Sequence, residues 1–278
     1  MENKIILITG ANSGIGKATA TALAEMGATV VMVSRDPVKG EIARQEVIME
    51  SRSNHIDLMQ CDLASLDSIR RFAAEFISRY SHLDVLINNA GIFTDKRMET
   101  ADGFEYQIGV NHLGPFLLTN LLIDLLKKSS PSRIINVSSG AHYGGKIDFD
   151  DLHQSKRYSG WKAYAQSKLA NILFTYELAH RLSGTGVTVN CLHPGFVRSR
   201  FAFNRTSEKP NPLIRLLKPF TIKPSEGAET SVYLATSPEV DGITGKYFTK
   251  RKEKASSRAS YDLAVAEKLW NLSNALTS

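Results

Sequence analysis

Tyr164 and Lys168, within Tyr164-Ala165-Gln166-Ser167-Lys168, are the residues of this chain whose types and spacing best suit acid–base chemistry. On a helix, a phenol and an ammonium four residues apart stand on one face, roughly 5–6 Å apart at Cβ. A phenol ordinarily titrates near pH ~10. A cation about 4 Å away, at an effective dielectric of about 20, is worth roughly 4 kcal/mol to the phenolate, which is about three pKa units. The spacing therefore predicts a tyrosine able to trade a proton with an alcohol or ketone near neutral pH. Taken alone the pattern is commonplace, and the chain carries it twice. Tyr158 and Lys162 repeat the spacing, but Gly160 interrupts them before the helical pattern begins.

The elements that must position this pair start with Ile5 to Ile8, an apolar β-branched run that reads as a strand buried on both faces. Thr9-Gly10-Ala11-Asn12-Ser13-Gly14-Ile15-Gly16 follows, then a helical stretch to Met26 that stops at Gly27. In the order strand, glycine turn, helix, glycines let backbone approach a pyrophosphate, and the helix N-terminus offers free N–H groups and partial positive charge. The spacing is G-x-x-x-G-x-G. Candidate cofactor contacts are Gly10, Asn12, Ser13, Gly14, Ile15 and Gly16.

The second strand, Ala28 to Val33, ends in Ser34 and Arg35, where an NAD site would place an acid against the ribose. Asp36 precedes Pro37 and reads as a helix N-cap. The Arg35 guanidinium suits a 2′-phosphate. Charge-assisted bonds of about 1.5–3 kcal/mol would favour NADP(H) over NAD roughly 10- to 100-fold, and Lys39 adds charge nearby.

Helices at 37–51, 67–80, 103–128 and 160–183 alternate with strands at 56–61, 83–87, 133–137 and 187–192. That order implies one Rossmann-type α/β domain: a doubly wound parallel sheet with helices on both faces. Polar residues closing such strands face the ligand crevice. Asp62, Leu63 and Asn88 thereby become cofactor candidates, Asp62 towards the adenine, and Ser138-Ser139 a place to hold a substrate oxygen. Asn111 lies inside the 103–128 helical stretch.

Hydrophobic residues make up 42% of the 278-residue chain and charged ones 22%, as in a folded globular protein. The net charge of +6 allows an anionic ligand, but Lys and Arg are scattered without the aromatic-and-basic stripe of a nucleic-acid binder. The strand pattern begins at Lys4, leaving no room for a signal peptide. No apolar run is read as reaching the ~18–20 residues of a membrane span. Cys61 and Cys191 sit in strand-like runs and show no metal or disulfide spacing. A reducing, cytoplasmic setting is expected.

Together these residues resemble the short-chain dehydrogenase/reductase family. The glycine motif 10–16, Asn88-Asn89-Ala90-Gly91, Asn111, Ser139, Tyr164, Lys168 and Pro194-Gly195 occur in the family's order. Ser34-Arg35-Asp36, Asn111-His112-Leu113-Gly114, Asn136-Val137-Ser138-Ser139, Ser167-Lys168-Leu169-Ala170-Asn171 and Gly245-Lys246-Tyr247-Phe248 are similar to its retinol dehydrogenase and WW-domain oxidoreductase branch. The resemblance implies hydride transfer between NADP(H) and a carbonyl or alcohol substrate, lipophilic ones included. It assigns Tyr164 as general acid/base and Lys168 as the group that lowers its pKa and holds nicotinamide ribose. Ser139, rather than Ser138, positions the substrate oxygen, and Asn111 serves a proton relay. Ala90, Gly91, Pro194, Gly195 and Val197 join the cofactor contacts. The resemblance also implies a substrate-covering lid at 196–223 and pairing of the 103–128 and 160–183 helices between subunits, as a dimer or tetramer.

The lid stretch mixes Phe201, Phe203, Leu213, Ile214, Leu216, Leu217 and Phe220 with Arg and Lys, a composition that also suits peripheral membrane contact. The histidines near motifs, His112, His142 and His193, read as hydrogen-bonded structural residues. A non-catalytic NADP(H)-sensing protein is the competing reading; it would have no need of both Tyr164 and Lys168.

Overall fold

The structure is a computed structural model describing residues 1–196 and 222–278. Val197, and all of the 196–223 segment but its ends, lie outside the described residues. Strand and helix alternate as β1 (Ile5–Thr9), α1 (Gly14–Glu25), β2 (Thr29–Ser34), α2 (Pro37–Ser51), β3 (Ile56–Gln60), α3 (Leu66–Arg79) and β4 (Val85–Asn88). After a long connection come α4 (Gly114–Lys128), β5 (Ser132–Val137), α5 (Gly160–Arg181) and β6 (Val187–His193). The described chain ends with α6 (Pro224–Thr236), β7 (Lys246–Thr249), β8 (Lys252–Lys254) and α7 (Leu263–Thr277).

These strands form one 8-stranded sheet in the order β3-β2-β1-β4-β5-β6-β7-β8. Every neighbouring pair is parallel except β7 with β8. Leu7 of β1 pairs with Val31 of β2 on one side and Leu86 of β4 on the other. Winding reverses there, so a crevice opens beyond the carboxyl ends of these strands.

Side-chain alternation sorts the core into two layers. Leu7, Val31 and Val33 face α3, α4 and α5 through Phe72, Phe76, Phe116 and Phe174. Ile6, Ile8, Val30 and Met32 face α1, α2 and α6 through Leu23, Val47 and Leu234. With both faces covered, the strands read as unbroken apolar runs.

The expected helix over 103–128 is shorter and interrupted. Gly103 sits at φ +81, in the left-handed region. Helix begins only at Tyr106, where the Glu105 carboxylate caps the N–H groups of Gln107 and Ile108 at 3.0 and 2.8 Å. One π-helical turn, Gly109–Leu113, then precedes α4. Contrary to the sequence reading, Tyr106–Lys128 is long and apolar enough to cross a membrane, but most of it is buried in the core.

α7 lies against the outer faces of α4 and α5. Its Trp270 ring stands 4.9 Å from Phe116 and 5.9 Å from Phe174, with the Arg181 guanidinium 4.3 Å from the indole. The chain's last helix thus packs on the same two helices for which subunit pairing is expected.

Candidate active site

A cleft of about 830 Å³ runs along the carboxyl ends of β1, β2, β4, β5 and β6. Its middle is the glycine turn. Gly10 has φ +65, and a Cβ there would lie 2.9 Å from Ala90 Cα. A Cβ on Gly16 would collide with Asn89 Nδ2 and the Gly10 carbonyl. Asn89 clamps the turn by donating to the Thr9 carbonyl at 2.8 Å and the Gly10 carbonyl at 3.3 Å. Thr9 Oγ1 answers by accepting from the Asn89 and Ala90 N–H groups at 3.0 Å. Ser13 occupies the N-cap of α1 without making a capping bond, and the first turn holds no acid. The first-turn N–H groups and the Ser13 hydroxyl are left to the cleft, as an anionic phosphate would require.

At one end stand Ser34, Arg35, Asp62 and Leu63. Arg35 Nη1 donates to the Tyr106 hydroxyl at 2.8 Å, which aims the exposed guanidinium along the cleft wall. Asp36 caps α2 through bonds to Val38 N and Lys39 N, both 3.1 Å, and is paired with Lys39 Nζ at 2.7 Å. The Lys39 charge is therefore already partnered. One Asp62 oxygen accepts from Ala64 N at 2.9 Å.

At the other end β5, α5 and β6 bring Ser139, Tyr164, Lys168, Pro194 and Gly195 to the wall. Helix α5 starts at Gly160, with Ser159 as N-cap accepting from the Lys162 N–H, and Tyr164 and Lys168 follow on its cleft-facing side. Tyr158 lies outside the wall, its hydroxyl bonding Gln107 Nε2 at 2.9 Å and Glu105 Oε1 at 3.0 Å. The two serines are placed differently. Ser138 Oγ donates to the Lys168 carbonyl at 2.7 Å, whereas Ser139 Oγ accepts from Ala141 N at 3.2 Å and lines the cleft with the Tyr164 phenol.

Two assigned residues are not in the wall. Asn88 turns inward, donating to Thr119 Oγ1 at 3.0 Å and Asn136 Oδ1 at 2.8 Å, so Asn89 is the asparagine that lines the cleft. Asn111, on the π-helical turn, pins Ile92 by accepting from its N–H at 2.7 Å and donating to its carbonyl at 3.0 Å. It also donates to Ser167 Oγ at 2.9 Å. Sequence reasoning missed Tyr106, Trp161 and Phe93. The Phe93 ring meets Tyr164 edge-on at 5.8 Å.

The electrostatic expectation also needs correcting. Lys168 Nζ is 5.7 Å from the Tyr164 ring centroid and donates to the Val137 carbonyl at 3.1 Å. Burial pushes Tyr164 up to about 12, with the Ser139 hydroxyl pulling the other way. Burial pushes Lys168 down to about 8, so it remains mostly charged at pH 7. Burial governs both shifts, because both groups are enclosed. The phenol is set as a proton donor.

Comparison with known proteins decides the family. The model for short chain dehydrogenases matches residues 4–210. The chain belongs to the short-chain dehydrogenase family. Within it, human retinol dehydrogenase 14 is 48% identical over 99% of this chain and 87% of its own. That similarity puts the chain in the retinol dehydrogenase branch. A solved protein from Mycobacterium paratuberculosis is 38% identical, with TM-score 0.80 over 99% of this chain and 94% of that one. The Pseudomonas aeruginosa RhlG/NADP active-site complex is 26% identical, with TM-score 0.72 over 89% and 94%. As an oxidoreductase of this family, the protein uses a nicotinamide cofactor, and the glycine turn, open helix N-terminus and long cleft fit one.

Proposed function

We propose that this protein is an NADP(H)-dependent, retinol-dehydrogenase-like oxidoreductase that interconverts carbonyl and alcohol groups. The observation that carries this reading is one continuous cleft with an anion-ready glycine turn at its centre, Arg35 at one end and Ser139, Tyr164 and Lys168 at the other. The RhlG relative crystallised with NADP supports the choice of cofactor.

Gly14 to Gly16 and Ser13 would hold the pyrophosphate, and Arg35 the 2′-phosphate. Lys168 would hold the nicotinamide ribose. The chemistry a bound nicotinamide supplies is hydride transfer. Ser139 Oγ orients the substrate oxygen. Tyr164, protonated at neutral pH, delivers a proton to that oxygen in reduction and takes it back in oxidation. Asn111 braces the backbone beside Lys168 and serves the route by which the phenol is reprotonated. Phe93, Trp161 and Phe196 give the mouth an aromatic lining, which suits a lipophilic substrate.

The test is stopped-flow oxidation of NADPH across a panel of aldehydes and ketones of increasing chain length. Turnover rising with lipophilicity is the expected result. NADPH binding without oxidation of any compound would favour a cofactor-sensing protein instead.

A further inference from the structure

Ser139 opens a short 3-10 turn, Gly140–Gly144, and its carbonyl is held from inside that turn by one side chain. His142 donates to the Ser139 carbonyl twice, from its backbone N–H at 3.1 Å and from ring Nδ1 at 2.7 Å. A carbonyl only accepts, so Nδ1 carries the hydrogen. Nε2 then presents a lone pair, and it receives the Ser257 N–H at 3.1 Å. The imidazole is fully buried, and its two bonds are compatible with a single neutral tautomer.

Ser257 belongs to a strap, residues 255–261, between β8 and α7. Several further bonds fasten it to the same region. Tyr143 Oη donates to the Ala255 carbonyl at 2.8 Å. The Tyr176 hydroxyl of α5 lies 2.7 Å from Ser256 Oγ, which lies 2.6 Å from Ser260 Oγ. Ser260 Oγ in turn donates to the Ser257 carbonyl at 2.6 Å. The titratable groups facing the His142 ring are Tyr143 on its own turn, Tyr247 of β7 at 5.1 Å between centroids, and His193 of β6.

We propose that His142 is a positioning residue that locks the turn carrying Ser139 to the 255–261 strap, so that the C-terminal segment sets the orientation of the serine. This rests on the reading of Ser139 as the residue that orients the substrate oxygen. The tie exists only with a neutral ring, since a protonated Nε2 would face another donor, the Ser257 N–H.

Three substitutions take the tie apart. His142→Asn keeps a donor near the Nδ1 position and loses the acceptor. Ser257→Pro removes the N–H, together with a buried hydroxyl that makes no hydrogen bond of its own, at a residue whose φ of −64 already suits proline. His142→Phe removes both bonds and keeps a ring. In carbonyl reduction, kcat should fall about 10-fold or more in His142→Phe with the KM for NADPH unchanged. His142→Asn should recover part of the loss, and Ser257→Pro should show a loss without any change at the cleft. A folded His142→Phe protein with the parent's kcat overturns the proposal.

A second measurement needs no turnover. In 15N-histidine NMR at pH 7, His142 should appear as the Nδ1–H tautomer, and Ser257→Pro should shift its Nε2 resonance. An Nε2–H tautomer overturns the tie. If the parent oxidises NADPH with no carbonyl compound, the functional reading falls, and the NMR result still decides whether the tie exists.

Discussion

At its glycine turn the cleft is walled by backbone from residues close in sequence, Gly10 through Gly16, clamped by Asn89. At its phenol end the wall is side chains gathered from afar: Ser139 beyond β5 and Tyr164 and Lys168 on α5, braced by Asn111 from the π-helical turn. A backbone wall tolerates changes in nearby side chains but no added volume. A side-chain wall tolerates small shifts but not the loss of a functional group. The glycine turn should govern whether cofactor binds and the phenol end whether bound substrate reacts, so substitutions can separate the two.

The sharpest separation should come from Tyr164→Phe. The ring and its edge contact with Phe93 are kept while the proton donor is lost. Turnover should fall by about 10²–10⁴-fold, with NADPH affinity near the parent's, as read by single-turnover kinetics and fluorescence titration. Ordinary turnover would remove the phenol from the mechanism. Gly16→Ala should do the reverse. Its added methyl meets Asn89 Nδ2 and the Gly10 carbonyl, and such overpacking costs about 1–3 kcal/mol. Cofactor affinity by calorimetry should drop roughly 5- to 150-fold while kcat at saturation holds. Unchanged affinity would mean the turn relaxes and the backbone wall is not rigid.

The contrast between the two walls also explains what could be read from the sequence. Strand β1, the glycine turn and the start of α2 at Asp36-Pro37 are local patterns, and their boundaries follow from the residues that make them. The Tyr164–Lys168 pair was visible by spacing, but its electrostatics was not, because desolvation depends on everything packed around α5. Asn88 and Asn89 are indistinguishable until strand direction decides which side chain enters the sheet and which the cleft. Strand β8 left no signal for a different reason. Its two-residue turn uses Lys250 at φ +50 and Arg251 at φ +61, not the glycine or asparagine that usually marks such a hairpin, and its residues are charged and exposed. The Arg35–Tyr106 bond spans 71 positions and has no sequence pattern at all.

Arg35→Ala asks whether the adenosine end uses side chains after all. The guanidinium is exposed and shares its donors with Tyr106, so the effect belongs at the low end for a charge-assisted bond. NADPH affinity should weaken about 10-fold while NADH affinity is unchanged. Equal weakening of both would mean that Arg35 supports the cleft wall rather than a 2′-phosphate. Tyr106→Phe should give a smaller loss of the same kind by freeing the guanidinium.

The smallest effect concerns the support behind the phenol end. His112, beside Asn111, is enclosed, with Nε2 2.9 Å from Ser273 Oγ of α7, and burial pushes its pKa down to about 4. Above the ordinary histidine value near ~6.5, folded and unfolded chains are both neutral there, and the residue adds no pH dependence. Between that value and about 4, only the unfolded chain takes up the proton, so stability falls as pH falls, by up to about 1.4 kcal/mol per pH unit. Below about 4 both states are protonated and this contribution levels off. Other acid-labile groups share the direction, so the measurement is a difference: urea midpoints of the parent and of His112→Gln from pH 7 to pH 4.5. The parent's slope should be the steeper. Parallel slopes would mean that His112 takes up its proton without unfolding, and that the packing of α7 over the 109–113 turn is looser than the buried imidazole implies.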